Sequence, residues 1–150
     1  MTDLPDYGIE TLHRPVQPAE CDILGHMNVA RYVDAVSDAM FSMMTRFGLS
    51  RAAMAERRLG LVAAHLEADY RAELLSGDVI VMQSRVEHVG TKSARFAHRL
   101  YRADTGALVF EASHVSVFFD LEARRATAFP DDIRAALEQL KTTKGEADAA

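Results

Sequence analysis

Three side chains able to hold or move a proton lie close together in this chain: the carboxylate of Asp22, the imidazole of His26 and the carboxamide of Asn28. They belong to the stretch Glu20-Cys21-Asp22-Ile23-Leu24-Gly25-His26-Met27-Asn28. A carboxylate there could act as a general base or as a nucleophile. Gly25 sits among them, where the backbone can turn sharply or approach a ligand closely. An apolar helix is predicted to follow at once. Its first turn offers backbone N–H groups with no intrahelical acceptor, and its dipole favours negative charge. A polar loop feeding such a helix is a ready-made place for chemistry. Each residue also has a plain structural reading: Asp22 as a turn or capping carboxylate, Gly25 as a simple turn, His26 as a structural imidazole and Asn28 as a helix cap. Cys21 beside His26 could in principle make an acyl-enzyme. However, adjacent residues of an extended segment point to opposite faces, so only one of Cys21 and Asp22 can face a substrate.

The elements that must position this loop follow from periodicity. Tyr32, Val33, Val36, Ala39, Met40, Met43 and Phe47 recur at helical spacing, and Gly48 stands where a helix commonly stops. Tyr32 reads as a packing residue whose hydroxyl reaches a partner. Met40, Met43, Met44 and Phe47 could line a pocket or simply fill a core. Ser50 is a plausible cap for a short helix to about Arg57 that Gly60 should end. Ahead of the loop, residues 9–16 could form a strand that Pro15 confines to an edge or a strand end.

Beyond Gly60 the period changes to two. Ala64, Leu66, Ala68 and Tyr70 alternate with His65, Glu67 and Asp69, as in a strand with one packed face. Turns at Ser76-Gly77-Asp78, Gly90-Thr91-Lys92-Ser93 and Asp104-Thr105-Gly106 separate further strands. Residues 108–119 are apolar on both faces and read as a central strand. A short strand at 124–127 and a helix from Asp131 to about Leu140 close the domain. The expected order is strand, long helix, then four or more meandering strands. This is an α+β arrangement in which an antiparallel sheet wraps the helix. One domain should cover residues 1–141, with 142–150 a loose, disordered tail.

Composition narrows the function. The chain has 150 residues, a net charge of -5 and a pI near 5.6, which argues against nucleic acid as the main partner. It has no apolar run long enough for a membrane span. An acidic N-terminus without an apolar signal core, together with one cysteine, points to a cytoplasmic protein. His13, His65, His88, His98 and His114 show no metal-ligand spacing, so no metal is expected. Glycine-rich phosphate loops and dinucleotide fingerprints are absent, so no cofactor is expected.

The pattern Asp22-x-x-Gly25-His26-Met27-Asn28-x-x-x-Tyr32 resembles the signature of hot-dog-fold acyl-CoA thioesterases, the 4-hydroxybenzoyl-CoA thioesterase-like family. Ser76-Gly77-Asp78 and Gly90-x-Lys92-Ser93, each followed by an alternating strand, sit where that family has them. A narrower resemblance runs from His98-Arg99-Leu100-Tyr101 to Phe119-Asp120, Arg124-Arg125 and Phe129-Pro130. It points to thioesterases of carnitine and betaine breakdown, with betainyl-CoA as substrate.

The family resemblance implies a long helix wrapped by a five- to six-stranded sheet, and a homo-oligomer (dimer or tetramer) with active sites at the dimer interface. It makes Asp22 the catalytic carboxylate, leaves Cys21 a small buried side chain, and sets His26 in the site. By position, the backbone amides near Asn28 and Val29 would take the oxyanion. Gly25, Met27 and Tyr32 would line the substrate site. His65 and Glu67 could serve a neighbouring subunit. Lys92 and Ser93 with Arg95, or else Arg124 and Arg125, would meet the CoA phosphates. Betainyl would need an anionic or aromatic pocket, for which Glu67, Asp69 and Tyr70 are conceivable. The competing readings are a non-catalytic binding protein of the same fold and a hot-dog dehydratase. The Asp-x-Asn-Pro-x-His pattern of the dehydratases is missing.

Overall fold

A computed structural model describes residues 3–149, with side chains described through Lys141. The apolar helix after the polar loop is α1, Val29–Met44, continued by a 3-10 turn over Thr45–Phe47. Gly48 ends it at φ 88°, a left-handed conformation that glycine adopts without strain. The residues at helical spacing face inward with one exception: Tyr32, Val36, Ala39, Met40, Met43 and Phe47 are buried, as are Ala35 and Met44, whereas Val33 is exposed. The second helix, α2, is Arg51–Arg57, and the Ser50 hydroxyl accepts from the Ala53 N–H at 3.1 Å. The expected stop at Gly60 is corrected. The helix ends at Arg58, which itself takes φ 58° and donates its N–H to the Met54 carbonyl, so no glycine is needed. Gly60 already lies inside the next strand.

Six strands form one antiparallel sheet: β1 (Ile9–Pro15), β2 (Leu59–Tyr70), β3 (Val79–Val89), β4 (Ser93–Arg102), β5 (Leu108–Asp120) and β6 (Arg125–Ala126). Their order is β1-β3-β4-β5-β2, with β6 added to β5. The meander holds from β3 to β5. It fails for β2, which pairs with β5 and not with β3. The connection from β2 to β3 passes under the N-terminal end of α1. There Leu74 is fully buried, and its carbonyl accepts the Met27 N–H at 2.7 Å. The helix therefore separates β2 from β3 and sends them to different parts of the sheet.

β2 is also less packed than its alternation suggests. A bulge between Ala63 and His65 reverses the alternation, and Val62, Leu66 and Tyr70 remain 44%, 39% and 46% exposed on this edge strand. β1 occupies the other edge, where a strand-terminal Pro15 is tolerated.

The sheet curls around α1, and its inner face carries two apolar clusters. One gathers Tyr32, Ala35 and Ala39 with Ile80, Met82, Leu100 and Phe110. The other gathers Met43, Phe47 and Leu49 with Val86, Phe96 and Phe118. The third helix, α3, is Asp131–Ala149 and seals the second cluster with Ile133 and Leu137. Acidic Asp131 and Asp132 fill its first turn, where the dipole favours them. Its backbone stays helical across most of the stretch read as a loose tail. The side chains of 142–150 lie outside the described residues.

Candidate active site

The loop before α1 is a tight reversal. The Asp22 N–H donates to the His26 carbonyl at 3.1 Å, and the Gly25 N–H donates to the Asp22 carbonyl at 3.0 Å. Gly25 takes φ 86° to close it, which explains the glycine. The reversal throws Ile23 fully, and Leu24 largely, into solvent and holds Asp22 at its base.

The Asp22 carboxylate is fixed by two donors. Oδ1 accepts from the Leu24 N–H and Oδ2 from Asn28 Nδ2, each at 2.9 Å. Asn28 also caps α1, since its Oδ1 accepts from the Ala30 N–H at 3.0 Å. One carboxamide therefore fulfils both readings, cap and partner of the acid. The Asn28 hydrogen bond, the Leu24 amide and the nearby His26 together hold the Asp22 carboxyl below its ordinary pKa, so it stands ionised.

Of the two amides expected to face an oxyanion, the Asn28 N–H is already committed to the Glu20 carbonyl at 2.8 Å. The Val29 N–H, first of the helix, has no acceptor among the described residues. Glu20 is itself anchored by Arg14 at 2.6 Å. His26 makes no hydrogen bond to Asp22, and its Nε2 lies 3.8 Å from Glu73.

His26, Met27, Val29 and Tyr32 line a cavity of about 390 Å³ with Tyr70, Arg71, Ala72 and Glu73. Tyr32 is buried, which raises its hydroxyl pKa, and its ring centroid lies 5.1 Å from those of both Tyr70 and Phe110. The Tyr70 hydroxyl donates to the Val29 carbonyl at 3.0 Å and ties β2 to the head of α1. One helical turn beyond Val29, on the same face, Val33 opens a second cavity of about 390 Å³ between α1 and β2. Its walls are mostly apolar, with Val36, Met40, Phe41, Met44, Leu61 and Leu66 among others, and Ser37, His114 and Ser116 are the polar residues in them. Met40 and Met44 are therefore pocket residues, whereas Met43 and Phe47 are core.

The remaining candidates lie elsewhere. His65 and Glu67 pair at 2.9 Å on the outer face of β2. Lys92 and Ser93 sit at the start of β4, across from Val117 and hence Val62. Tyr70 is eight residues further along β2, about 26 Å away at ordinary strand rise. Arg95 donates to Ser113 Oγ at 2.9 Å, and Arg124 lies over the Phe119 ring. Among the described residues no cluster of His, Cys, Asp or Glu could hold a metal ion, and no helix is long and apolar enough to cross a membrane. Sequence reasoning missed the Leu24 amide, whose role follows from the turn alone. Only the return of the chain from β2 reveals the part played by Tyr70.

Residues 16–137 match the family described as the Thioesterase-like superfamily. The chain belongs to that superfamily. It is 24% identical over 119 residues to the long-chain acyl-CoA thioesterase FadM of Escherichia coli strain K12, covering 79% of this chain and 89% of the relative. It is 27% identical over 137 residues to an L-carnitine dehydrogenase/betainyl-CoA thioesterase of Agrobacterium fabrum, covering 90% of this chain. The chain spans only 28% of that longer protein. A Staphylococcus aureus protein solved in complex with CoA superposes with a TM-score of 0.84 at 20% identity, over 95% of this chain and 88% of that one. A 1,4-dihydroxy-2-naphthoyl-CoA thioesterase from Synechocystis gives 0.78 at 19% identity, over 89% and 98%. The fold is the hot-dog fold, and the homologues of this chain are acyl-CoA thioester hydrolases.

Proposed function

We propose that this protein hydrolyses an acyl-CoA with an apolar acyl chain to the free acid and CoA. The observation that carries the reading is an ionised Asp22 hydrogen-bonded to the Asn28 cap of α1, next in sequence to the unoccupied Val29 N–H, with an apolar groove that begins one helical turn further on at Val33. Asp22 either attacks the thioester carbonyl, releasing CoA thiolate and leaving a mixed anhydride for water to cleave, or removes a proton from the attacking water. In both routes negative charge grows on the carbonyl oxygen, and the Val29 N–H at the positive end of α1 is placed to receive it. A donor of this kind is worth about 3 kcal/mol of transition-state stabilisation. The fixed hydrogen bonds from Leu24 and Asn28 keep the carboxylate aimed without reorganisation.

Groove chemistry favours a fatty chain, in keeping with the long-chain relative. A betainyl group finds less support: Glu67 and Asp69 lie on the outer face of β2 and Tyr70 on the inner face, so they build no common pocket. The exposed apolar edge of β2 supports a homodimer joined edge to edge. An antiparallel copy would carry its own Lys92 and Ser93 toward this chain's Asp22, where the CoA phosphates need cations. A fully active monomer in sedimentation would remove that element.

The test is CoA release from short, long, aromatic and betainyl thioesters by wild type and Asp22→Asn, both checked for folding by circular dichroism. Wild type should prefer long apolar chains, and the variant should lose about 100-fold or more. Undiminished turnover in the variant would move the chemistry away from Asp22. Absence of turnover on every thioester would favour a binding protein.

A further inference from the structure

Between the two apolar clusters the inner face of the sheet carries a polar seam. It runs Thr11 on β1, Ser84 on β3, His98 on β4 and His114 on β5, and all four are buried. The Thr11 hydroxyl donates to the Met82 carbonyl at 3.2 Å, so the Ser84 hydroxyl must donate to Thr11 Oγ1, 2.8 Å away. Ser84 Oγ is then left to accept from His98 Nδ1–H at 2.7 Å. Burial and its histidine neighbour hold His98 neutral, so His98 Nε2 is bare and accepts from His114 Nδ1–H at 3.1 Å. His114, neutral for the same reason of burial, keeps its own Nε2 bare. That nitrogen has no partner among the described residues, and His114 lines the apolar groove beside Ser116.

A chain of four hydrogen bonds therefore fixes one tautomer and presents one unpartnered imidazole acceptor in a wall that is apolar apart from Ser37 and Ser116. Phe96 stacks on the His114 ring at 5.4 Å and keeps it from turning. An acceptor held in this way is satisfied by a hydroxyl donor and left unpaired by a plain methylene chain.

We propose that His114 is a specificity-determining residue that selects acyl chains bearing a hydroxyl part-way along their length. The inference rests on the groove holding the acyl chain, as in the proposed function. Register gives the depth. His114 lies opposite Leu66, four residues along β2 from Tyr70, whose hydroxyl touches Val29. The hydroxyl would thus sit about 13 Å from the reacting carbonyl. A hydroxylated aliphatic acid is the product class, and a hydroxylase or a hydratase acting upstream is the reaction class that would supply the substrate.

The test uses binding, so that it does not depend on turnover. Wild type, His114→Phe and His114→Gln are titrated by calorimetry with non-hydrolysable alkyl-CoA thioethers of one length. These are either unsubstituted or hydroxylated at successive positions from the β carbon to the ω end. Wild type should bind one mid-chain hydroxylated analogue about five- to tenfold more tightly than the plain chain, as one net hydrogen bond allows. His114→Gln, whose amide can donate to His98 and offer an oxygen to the groove, should retain the preference. His114→Phe should bind the two alike. If the phenylalanine variant does not fold, His114→Leu takes its place, and a preference that survives in the apolar variant overturns the assignment to His114. Equal affinity for every analogue on wild type overturns the inference while leaving the thioesterase reading intact. Failure to bind any analogue overturns both.

Discussion

Acidification should destabilise this protein well before its carboxylates titrate. His98 and His114 are held neutral, with pKa values pushed down to about 3 and about 4 from an ordinary 6.5, by burial and, for His98, also by its histidine neighbour. Every nitrogen of His98 is engaged in a bond that leaves no room for a second proton. Once unfolded, both rings bind protons below pH 6.5; in the fold they do not. The unfolded state therefore binds more protons, and stability must fall as pH falls. It is complete above about pH 6.5 and declines toward pH 4. Each group contributes 1.36 kcal/mol per pH unit, so the two together should remove about 2.7 kcal/mol per unit, approaching about 5 kcal/mol by pH 4.5. That is a large share of the roughly 5–15 kcal/mol that keeps a typical domain folded. Carboxylates with lowered pKa, such as Glu20 and Asp22, lose their contribution only below their ordinary values of 4.5 and 3.8, in a separate window. The assay is urea unfolding followed by circular dichroism at half-unit steps from pH 7 to pH 5. A slope near two protons is expected between pH 6 and 5. A flat profile there would refute the tautomer chain and the buried neutral pair with it.

Two substitutions separate roles that one residue combines or one contact imposes. Asn28→Asp keeps a good helix cap but removes the donor to Asp22 and sets a like charge beside it. Stability should stay within about 1 kcal/mol. The rate should drop about tenfold or more, with the acid limb of the pH–rate profile moving upward. An unchanged rate and profile would show that Asn28 is a cap alone. Gly8→Ala would press a methyl group onto the Ser84 carbonyl, where backbone leaves no space. It should lower stability by about 1–3 kcal/mol, read as an earlier urea midpoint; an unmoved midpoint would mean that the N-terminal segment yields freely.

What the sequence makes legible here is local, and what it hides is set by distant chain. The spacing of Tyr32, Val36, Met40 and Met43 defines α1, and alternation defines β3, β4 and β5, because each element needs only its own buried face. The partner of β2 depends on where α1 lies, which no alternation within β2 records. Asp22 and Asn28 can be picked out by type and spacing. Which helix N–H stays open depends on the Glu20 carbonyl, whose direction is fixed by a short 3-10 turn and an Arg14 pair. The histidines are the sharper case. His98 and His114 are sixteen positions apart and fit no ligand spacing, yet they occupy inward positions of adjacent strands. Ser84 stands directly opposite His98 in the β3–β4 register. In a sheet wrapped around an apolar helix, a polar residue at an inward position must find partners on the same face. Thr11, Ser84, His98 and His114 violate the apolar pattern on four neighbouring strands, and the last of them reaches the wall of the groove. The positions that break the alternation, rather than those that keep it, therefore carry the information about what the groove can recognise.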